Sequence, residues 1–415
     1  MHKRLIFHVD VNSAFLSWSA VRELQNGGQD LRLIPSAVGG ERDSRTGIIL
    51  AKSITAKKMG VKTGEPVSMA LRKCPHLTVV KPDFKLYLAQ SRAFMAICRD
   101  FAPVVEQYSI DECFLDMSGM HLLYPDPVEA AHLLKNRIRD TLGFTVNIGI
   151  GPNKLLAKTA GVFEKPDKVH TLFLHEIEHK LWPLPVEDLI GVGASTAEKL
   201  RRCCLRTVGD VARIAPNRLK AIVGNAYGEQ LHRYVHGIDD SPVLAEPEEP
   251  KGYSISTTLE DNVTTTDAAH AILLALTDSV TARMRADGAK AFGVGVTVRT
   301  TDFKTRSHQR KLDTPTDITD EVFEQVKALL TELWQTRAPL RLLGVSLFDV
   351  TREDALQLSF FGEEDKTRSR NLDKAVDGIR ARFGSQGIVR AGAMNTPARI
   401  GRKYKAKTEL DSSDT

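Results

Sequence analysis

The chain carries only five cysteines, at 74, 98, 113, 203 and 204. The number is odd and no two stand in a CxxC or Cys/His spacing, so neither a disulfide framework nor a zinc site is indicated. Long apolar runs are also missing, since nothing approaches the roughly 20 residues of a membrane helix, and no membrane partner is expected. The basic start runs into Leu5-Ile6-Phe7, but His8 interrupts and Asp10 ends this run. That is unlike a signal peptide and predicts a buried strand in a cytoplasmic protein. Charge of one sign is not strongly in excess: the net charge is +5 and the pI about 8.8. Such a balance only mildly favours an anionic partner, and the placement of the charges must decide. No internal repeat is evident. At 415 residues the chain exceeds one ordinary core, and about 100–200 residues per domain predicts two to four units.

Periodicity places the elements. Residues 5–11 form an apolar run of strand length, 104–116 a second β-like stretch and 144–151 a third, with helical patterns over 86–101 and 127–142 between them. Glycines at 27, 28, 39, 40, 60 and 64 mark residues 21–76 as an inserted subdomain. From 168 to 240 the pattern turns to short helices. An acidic, proline-rich stretch, 241–250, reads as an extended linker. Beyond it Val294, Val296 and Val298 alternate as in a half-buried strand, helices are expected over 267–286 and 320–336, and 342–348 is another strand. A last amphipathic helix has Leu372, Ala375, Val376, Ile379 and Phe383 on one face, and a polar end from Gly401 is expected to be disordered. The fold class is α+β and multidomain.

The acids carry the chemistry. A carboxylate ending a buried strand is costly unless it meets a cation, and Asp10 sits there while Asp111 and Glu112 occupy a second β-rich stretch. Magnesium takes a few carboxylates together with substrate phosphates, and a pair of such ions serves in-line phosphoryl displacement. Taken singly, each acid reads more readily as a cap on a solvated strand edge. In a continuous strand, moreover, Asp111 and Glu112 would point to opposite faces. A tight hairpin would solve this, but no Gly, Pro or Asn marks one.

Phe7-His8-Val9-Asp10-Val11-Asn12-Ser13-Ala14-Phe15 and Tyr108-Ser109-Ile110-Asp111-Glu112-Cys113-Phe114-Leu115-Asp116 resemble the two catalytic motifs of Y-family translesion DNA polymerases. Val38-Gly39-Gly40, Gly149-Ile150-Gly151-Pro152-Asn153-Lys154-Leu155-Leu156-Ala157-Lys158 and Lys165-Pro166 match in the family's order and spacing, over about residues 1–350. The resemblance implies a right-hand polymerase: palm (1–20 and 77–167), small fingers (21–76), helical thumb (168–240), linker (241–250), α+β little finger (251–352) and C-terminal tail (353–415). It places Asp111 and Glu112 at a hairpin. It makes Asp10, Asp111 and Glu112 catalytic ligands of two Mg2+ ions, assisted by the Val11 carbonyl, and puts Phe15 at the steric gate that excludes a ribose 2′-hydroxyl; the plain alternative for Phe15 is core. Lys165 and Lys158 are similar to the family's palm lysines near the triphosphate. In the fingers, where many members have Ser-Tyr-Glu-Ala-Arg, this chain has Ser53-Ile54-Thr55-Ala56-Lys57. Lys57 keeps a point charge for phosphate but not a bidentate fork.

Three further segments point to partners. Leu189-Ile190-Gly191-Val192-Gly193-Ala194-Ser195-Thr196-Ala197-Glu198-Lys199-Leu200 resembles a helix-hairpin-helix, whose backbone N–H groups approach DNA phosphate without reading sequence. Lys304, Arg306 and Arg310, with His308 between, share a face if their segment is a strand, giving a phosphate-tracking stripe or a merely solvated sheet. Gln357, Leu358, Phe360 and Phe361, in Gln357-Leu358-Ser359-Phe360-Phe361, resemble the sliding-clamp peptide of bacterial polymerases; folding back on the chain is the competing reading.

The expectation is a monomeric, low-fidelity DNA polymerase that adds deoxynucleotides to the primer end of primer-template DNA and copies past damaged bases. The competing readings are a non-catalytic DNA- and clamp-binding accessory on the same fold and, more remotely, a magnesium nuclease.

Overall fold

The computed structural model describes residues 4–41, 47–335, 338–353, 363–384, 387–394 and 396. The chain divides into two compact units, one reaching Pro247 and the other beginning at Glu248. In the first, β1 (Ile6–Val11) leads into α1 (Ala14–Gln25). Next come β2 (Ser36–Gly39), β3 (Ile49–Lys52), α2 (Ile54–Lys58), α3 (Val67–Lys73) and β4 (Thr78–Val80), a three-stranded sheet with a small core of its own around Ile49, Val61 and Leu77. The chain returns through α4 (Phe84–Phe101), β5 (Val104–Gln107), β6 (Glu112–Asp116), α5 (Pro127–Leu142), β7 (Val146–Gly151), α6 (Lys154–Ala160) and β8 (Val169–Thr171). With β1 these strands form a sheet in the order β5-β6-β1-β7-β8, parallel only between β7 and β8.

Alternation along β1 sorts its residues between the two faces of this sheet. Phe7, Val9 and Val11 belong to the large core that also holds Trp18, Tyr87, Phe94, Leu134 and Ile138 of α1, α4 and α5. Ile6, His8 and Asp10 face the other way, and Ile6 packs with Phe114 and with Ala157 of α6. The helix comes this close because β7 offers Gly149, where a Cβ would stand 2.0 Å from the Ala157 carbonyl oxygen.

Past β8 the unit is helical, with α7 (Ala194–Arg202), α8 (Val208–Arg213), α9 (Pro216–Val223) and α10 (Asn225–Val235) around Leu181, Leu200, Val208 and Leu231. The chain leading into the segment read as an extended linker, 241–250, is fastened down, and so is Leu244 within it. Asn153 Nδ2 donates to the Gly237 carbonyl at 2.8 Å and the Leu155 N–H to Asp239 at 3.1 Å. The Leu244 N–H donates to Glu106 at 2.9 Å, and both Glu106 oxygens hold Lys154 Nζ at 2.7 Å.

The second unit runs β9 (Gly252–Val263), α11 (Thr266–Ala286), β10 (Lys290–Thr300), β11 (Thr305–Thr316), α12 (Thr319–Leu333), β12 (Leu340–Thr351) and α13 (Glu363–Phe383). Its sheet, β11-β10-β12-β9, is antiparallel throughout, and Val294, Val296 and Val298 are buried with α11 and α12 as their alternation predicts. The α13 face is a correction. Of the five apolar residues expected to turn inward only Val376 is buried, while Leu372 and Phe383 are 53% and 76% exposed. The helix docks by charge instead. Asp373 accepts from the Thr319 N–H at 2.8 Å and pairs with Arg285 and Arg390, Asp377 lies 2.8 Å from Arg285, and Arg380 lies 2.6 Å from Asp278. Among the described residues no helix is long and apolar enough to cross a membrane.

Candidate active site

The site is built where β1 ends. Asp10 and Glu112 are register partners across the β1–β6 pair, so both side chains emerge on the α6 face of the sheet. Asp111 precedes β6 and lies in the turn from β5, so the alternation that would have sent it to the far face does not apply. Ser109 makes this turn. Its Oγ accepts from the N–H groups of Asp111 (3.3 Å) and Glu112 (3.1 Å) and donates to Asp111 Oδ1 at 2.6 Å. The Tyr108 and Ser109 N–H groups both donate to the Glu112 carbonyl, and the Val11 N–H donates to the Asp111 carbonyl at 3.0 Å, stitching the turn to β1. A serine two or three residues ahead of the N–H groups it captures was the turn signal the sequence reading missed.

Each acid meets a different environment. Burial pushes the Asp111 carboxyl up, the Ser109 hydroxyl opposes this, and the charges of Asp10 and Glu112 raise it further. Burial would raise Glu112 too, but hydrogen bonds from His8 and Lys158 prevail and bring it down to about 2. Both fall on Oε2, His8 Nε2 at 2.9 Å and Lys158 Nζ at 2.7 Å. Burial pushes the His8 imidazole down while the Glu112 carboxylate opposes this, and its buried Nδ1 has no partner among the described residues. Lys158 also sits 4.4 Å from the centre of the Tyr108 ring. Lys165 pairs with Asp10. The two lysines expected beside a triphosphate thus stand on the acids themselves.

Among the described residues no three Asp, Glu, His or Cys side chains close round one point as metal ligands do. The donor set nevertheless fits a hard divalent cation. It consists of oxygens alone, two of its three acids already draw ammonium groups, and the third is destabilised by its neighbours' negative charge.

Phe15 lies in the first turn of α1, half-buried, with its ring stacked on Tyr87 at 4.6 Å and 16° and meeting Phe84 edge-on at 6.2 Å. Tyr87 is fully buried and its hydroxyl bonds Ser19 at 3.0 Å, so the Phe15 ring rests on a fixed platform. Lys57 is exposed on α2 in the small three-stranded subdomain. Beside it stands Lys52, which the sequence reading passed over; burial and the Lys57 charge both push its ammonium down.

The expected DNA contacts lie elsewhere. Gly191, at φ +90°, turns the chain ahead of Gly193, the N-cap of α7, and the Gly191 carbonyl accepts from the Tyr227 hydroxyl at 2.8 Å. In the second unit Arg306, His308 and Arg310 do share a face, while Lys304 sits in the turn just before β11. Their register partners are Val298, Val296 and Val294, so that face is the helix-covered one, and Glu332 of α12 takes His308 at 3.2 Å and Arg310 as well. The opposite face instead bears Ser254, Ser256, Ser346 and Gly344, with Lys311 on its edge strand. Gln357, Leu358, Phe360 and Phe361 lie outside the described residues.

Residues 9–161 match the sequence model of the impB/mucB/samB family, residues 250–360 that of the family's C-terminal domain, and residues 187–239 one described as a DNA polymerase-iota thumb domain. DNA polymerase IV of Clostridium acetobutylicum is 42% identical over 389 residues, 94% of this chain and 98% of that protein. DNA polymerase IV of Pelotomaculum thermopropionicum is 38% identical over 399 residues, 96% of this chain and 97% of its own. Among solved structures, a chimeric Y-family DNA polymerase superposes with a TM-score of 0.73 at 23% identity, covering 84% of this chain and all of that one, a likeness of fold.

Proposed function

Because the chain belongs to the impB/mucB/samB family of Y-family DNA polymerases, and is a DNA-directed DNA polymerase of translesion type, we propose that it extends a primer 3′ end at Asp10, Asp111 and Glu112 by a two-metal mechanism in DNA damage tolerance. The observation that carries this reading is the placing of Asp10 opposite Glu112, with Asp111 delivered by the Ser109 turn.

Asp10, Asp111, Glu112 and the Val11 carbonyl are the groups that would hold magnesium. A bound pair of such ions supplies Lewis acidity toward the primer hydroxyl and the departing pyrophosphate. The chain's own residues do the rest. His8 orients the Glu112 carboxylate. Lys158 and Lys165 neutralise the acids in the free protein and are long enough to turn toward triphosphate oxygens once other cations take their place. Lys57 supplies a point charge from the fingers. Phe15, braced by Tyr87, lies under the sugar and rejects a 2′-hydroxyl. No side chain is required as general base.

In this reading the palm spans 1–20 and 77–167, the fingers 21–76, the thumb 168–240 and the little finger 251–352. The Gly191–Gly193 hairpin grips duplex phosphates, and Lys304, Arg306 and Arg310 flank the DNA at the edge of the little-finger sheet. Gln357, Leu358, Phe360 and Phe361 take a bacterial sliding clamp, and the protein works as a monomer in the cytoplasm. Template-directed extension opposite a panel of damaged bases tests the function: incorporation opposite at least one blocking lesion is expected, and extension confined to undamaged template would overturn the damage-tolerance reading.

A further inference from the structure

A second buried polar residue shares the Asp10 face of the sheet. Asn147 of β7 is the register partner of Asp10 on the side away from Glu112, and it is fully buried. Its Oδ1 accepts from Asn12 Nδ2 at 3.0 Å and from the Lys168 N–H at 3.3 Å, and its Nδ2 donates to the carbonyls of Gly161 at 3.2 Å and Glu164 at 2.6 Å. Asn12, 8% exposed, continues the network, its Oδ1 accepting from the Asp167 N–H at 3.0 Å and from Thr145 Oγ1 at 2.9 Å. Lys135 of α5 reaches the same loop, with Nζ 2.9 Å from Asp167 Oδ1.

Residues 161–168 form neither helix nor strand, so their backbone groups cannot satisfy one another in a ladder. Two side-chain amides take up four of them instead, gripping the loop at 161, 164, 167 and 168. An amide suits the position because it needs donors and acceptors together: a carboxylate could not donate to the two carbonyls, and an apolar residue would leave the Gly161 carbonyl without its partner and the Glu164 carbonyl with His170 alone, at 3.3 Å. Between the grips the loop sends Lys165 to Asp10.

We propose that Asn147, together with Asn12, is a positioning residue that sets the 161–168 loop so that Lys165 stands between the Asp10 carboxylate and the incoming triphosphate. The proposal rests on the reading of Lys165 as a triphosphate contact. Asn147 touches no substrate and acts through Lys165 alone. A shift of the loop by about 1 Å misplaces a point charge at the end of a flexible stem, which is costly where charges must meet at close range.

The test is single-nucleotide primer extension by the full-length protein carrying Asn147→Ala, Lys165→Ala or both, with Asn147→Ser as a milder cut should the alanine protein fold poorly. Asn147→Ala is expected to raise KM for the nucleotide about tenfold with kcat and primer-template affinity within about twofold, since a contact equal in ground and transition states moves KM alone. Asn147→Ser is expected to shift KM in the same direction by less. The double variant is expected to be no worse than Lys165→Ala, the non-additivity of two residues acting as one. Full additivity, or an equal loss of kcat and DNA affinity, would overturn the positioning role and leave a structural one. If Lys165→Ala itself leaves KM unchanged, the triphosphate reading fails and this inference falls with it.

Discussion

Replacing Phe15 by alanine is the sharpest perturbation of substrate choice that the structure offers. The ring is held from beneath by Tyr87, at 4.6 Å and nearly parallel, and Tyr87 is itself immobilised by burial and by Ser19. A braced ring cannot retreat when a 2′-hydroxyl arrives, so the clash is paid in full. Apolar sites discriminate against an added hydroxyl by about 10²-fold, roughly 2.7 kcal/mol. Phe15→Ala should therefore lower the ratio of kcat/KM for deoxy- over ribonucleotide by about 10², measured by primer extension with matched nucleotide pairs. Tyr87→Leu keeps the gate but loses its support, worth about 0.5–1.5 kcal/mol for an aromatic pair, so it should relax the same ratio only about 2- to 13-fold. An unchanged ratio in Phe15→Ala would refute the gate and return the residue to the core. A Tyr87→Leu effect equal to that of Phe15→Ala would refute the division of labour.

Other consequences are separately testable. In metal-free protein the Glu112 carboxyl sits near 2 against an ordinary 4.5, so its contribution to stability is present above about 4.5 and is lost as pH falls toward 2. Melting temperatures in chelator should drop more steeply over that interval in the wild type than in Glu112→Gln; parallel curves would contradict the pairing with His8 and Lys158. Arg306 is exposed whereas Arg310 is engaged by Glu332, so Arg306→Ala should lower the salt slope of DNA binding by about one and Arg310→Ala by less. The reverse ranking would argue that the Glu332 pair opens on DNA. Asp373 is 2% exposed and serves Arg285, Arg390 and the Thr319 N–H; Asp373→Ala strands the buried Thr319 N–H, while Arg285 keeps Asp377 and Arg390 keeps Asp278 and Asp320, so it should cost about 1–3 kcal/mol in chemical denaturation. A cost under about 1 kcal/mol would mean that the charges find water instead.

What the sequence disclosed depended on whether a signal was local. Strands and helices with clean periodicity, such as β1, α5 and the Val294–Val296–Val298 alternation, were legible because each residue's face follows from its own position. The turn at Asp111 was less so: its maker, Ser109, is an ordinary residue that acts by capturing N–H groups further on. The face of the basic stripe was hidden as well, because alternation groups Arg306, His308 and Arg310 without saying which side the helices cover. The α13 docking ran against its apolar pattern, since the charges that seat it come from α11, α12 and the segment after α13. Asn12 and Asn147 carried no signal at all, for a buried amide declares its purpose only through partners distant in sequence.

The central claim is that Asp10, Asp111 and Glu112 hold the metal that drives nucleotidyl transfer. It is tested most directly by magnesium-dependent primer extension with the wild type beside an Asp111→Ala, Glu112→Ala protein whose fold and primer-template affinity are unchanged. The account predicts extension that requires magnesium in the first and none above background in the second; equal extension by both would contradict it.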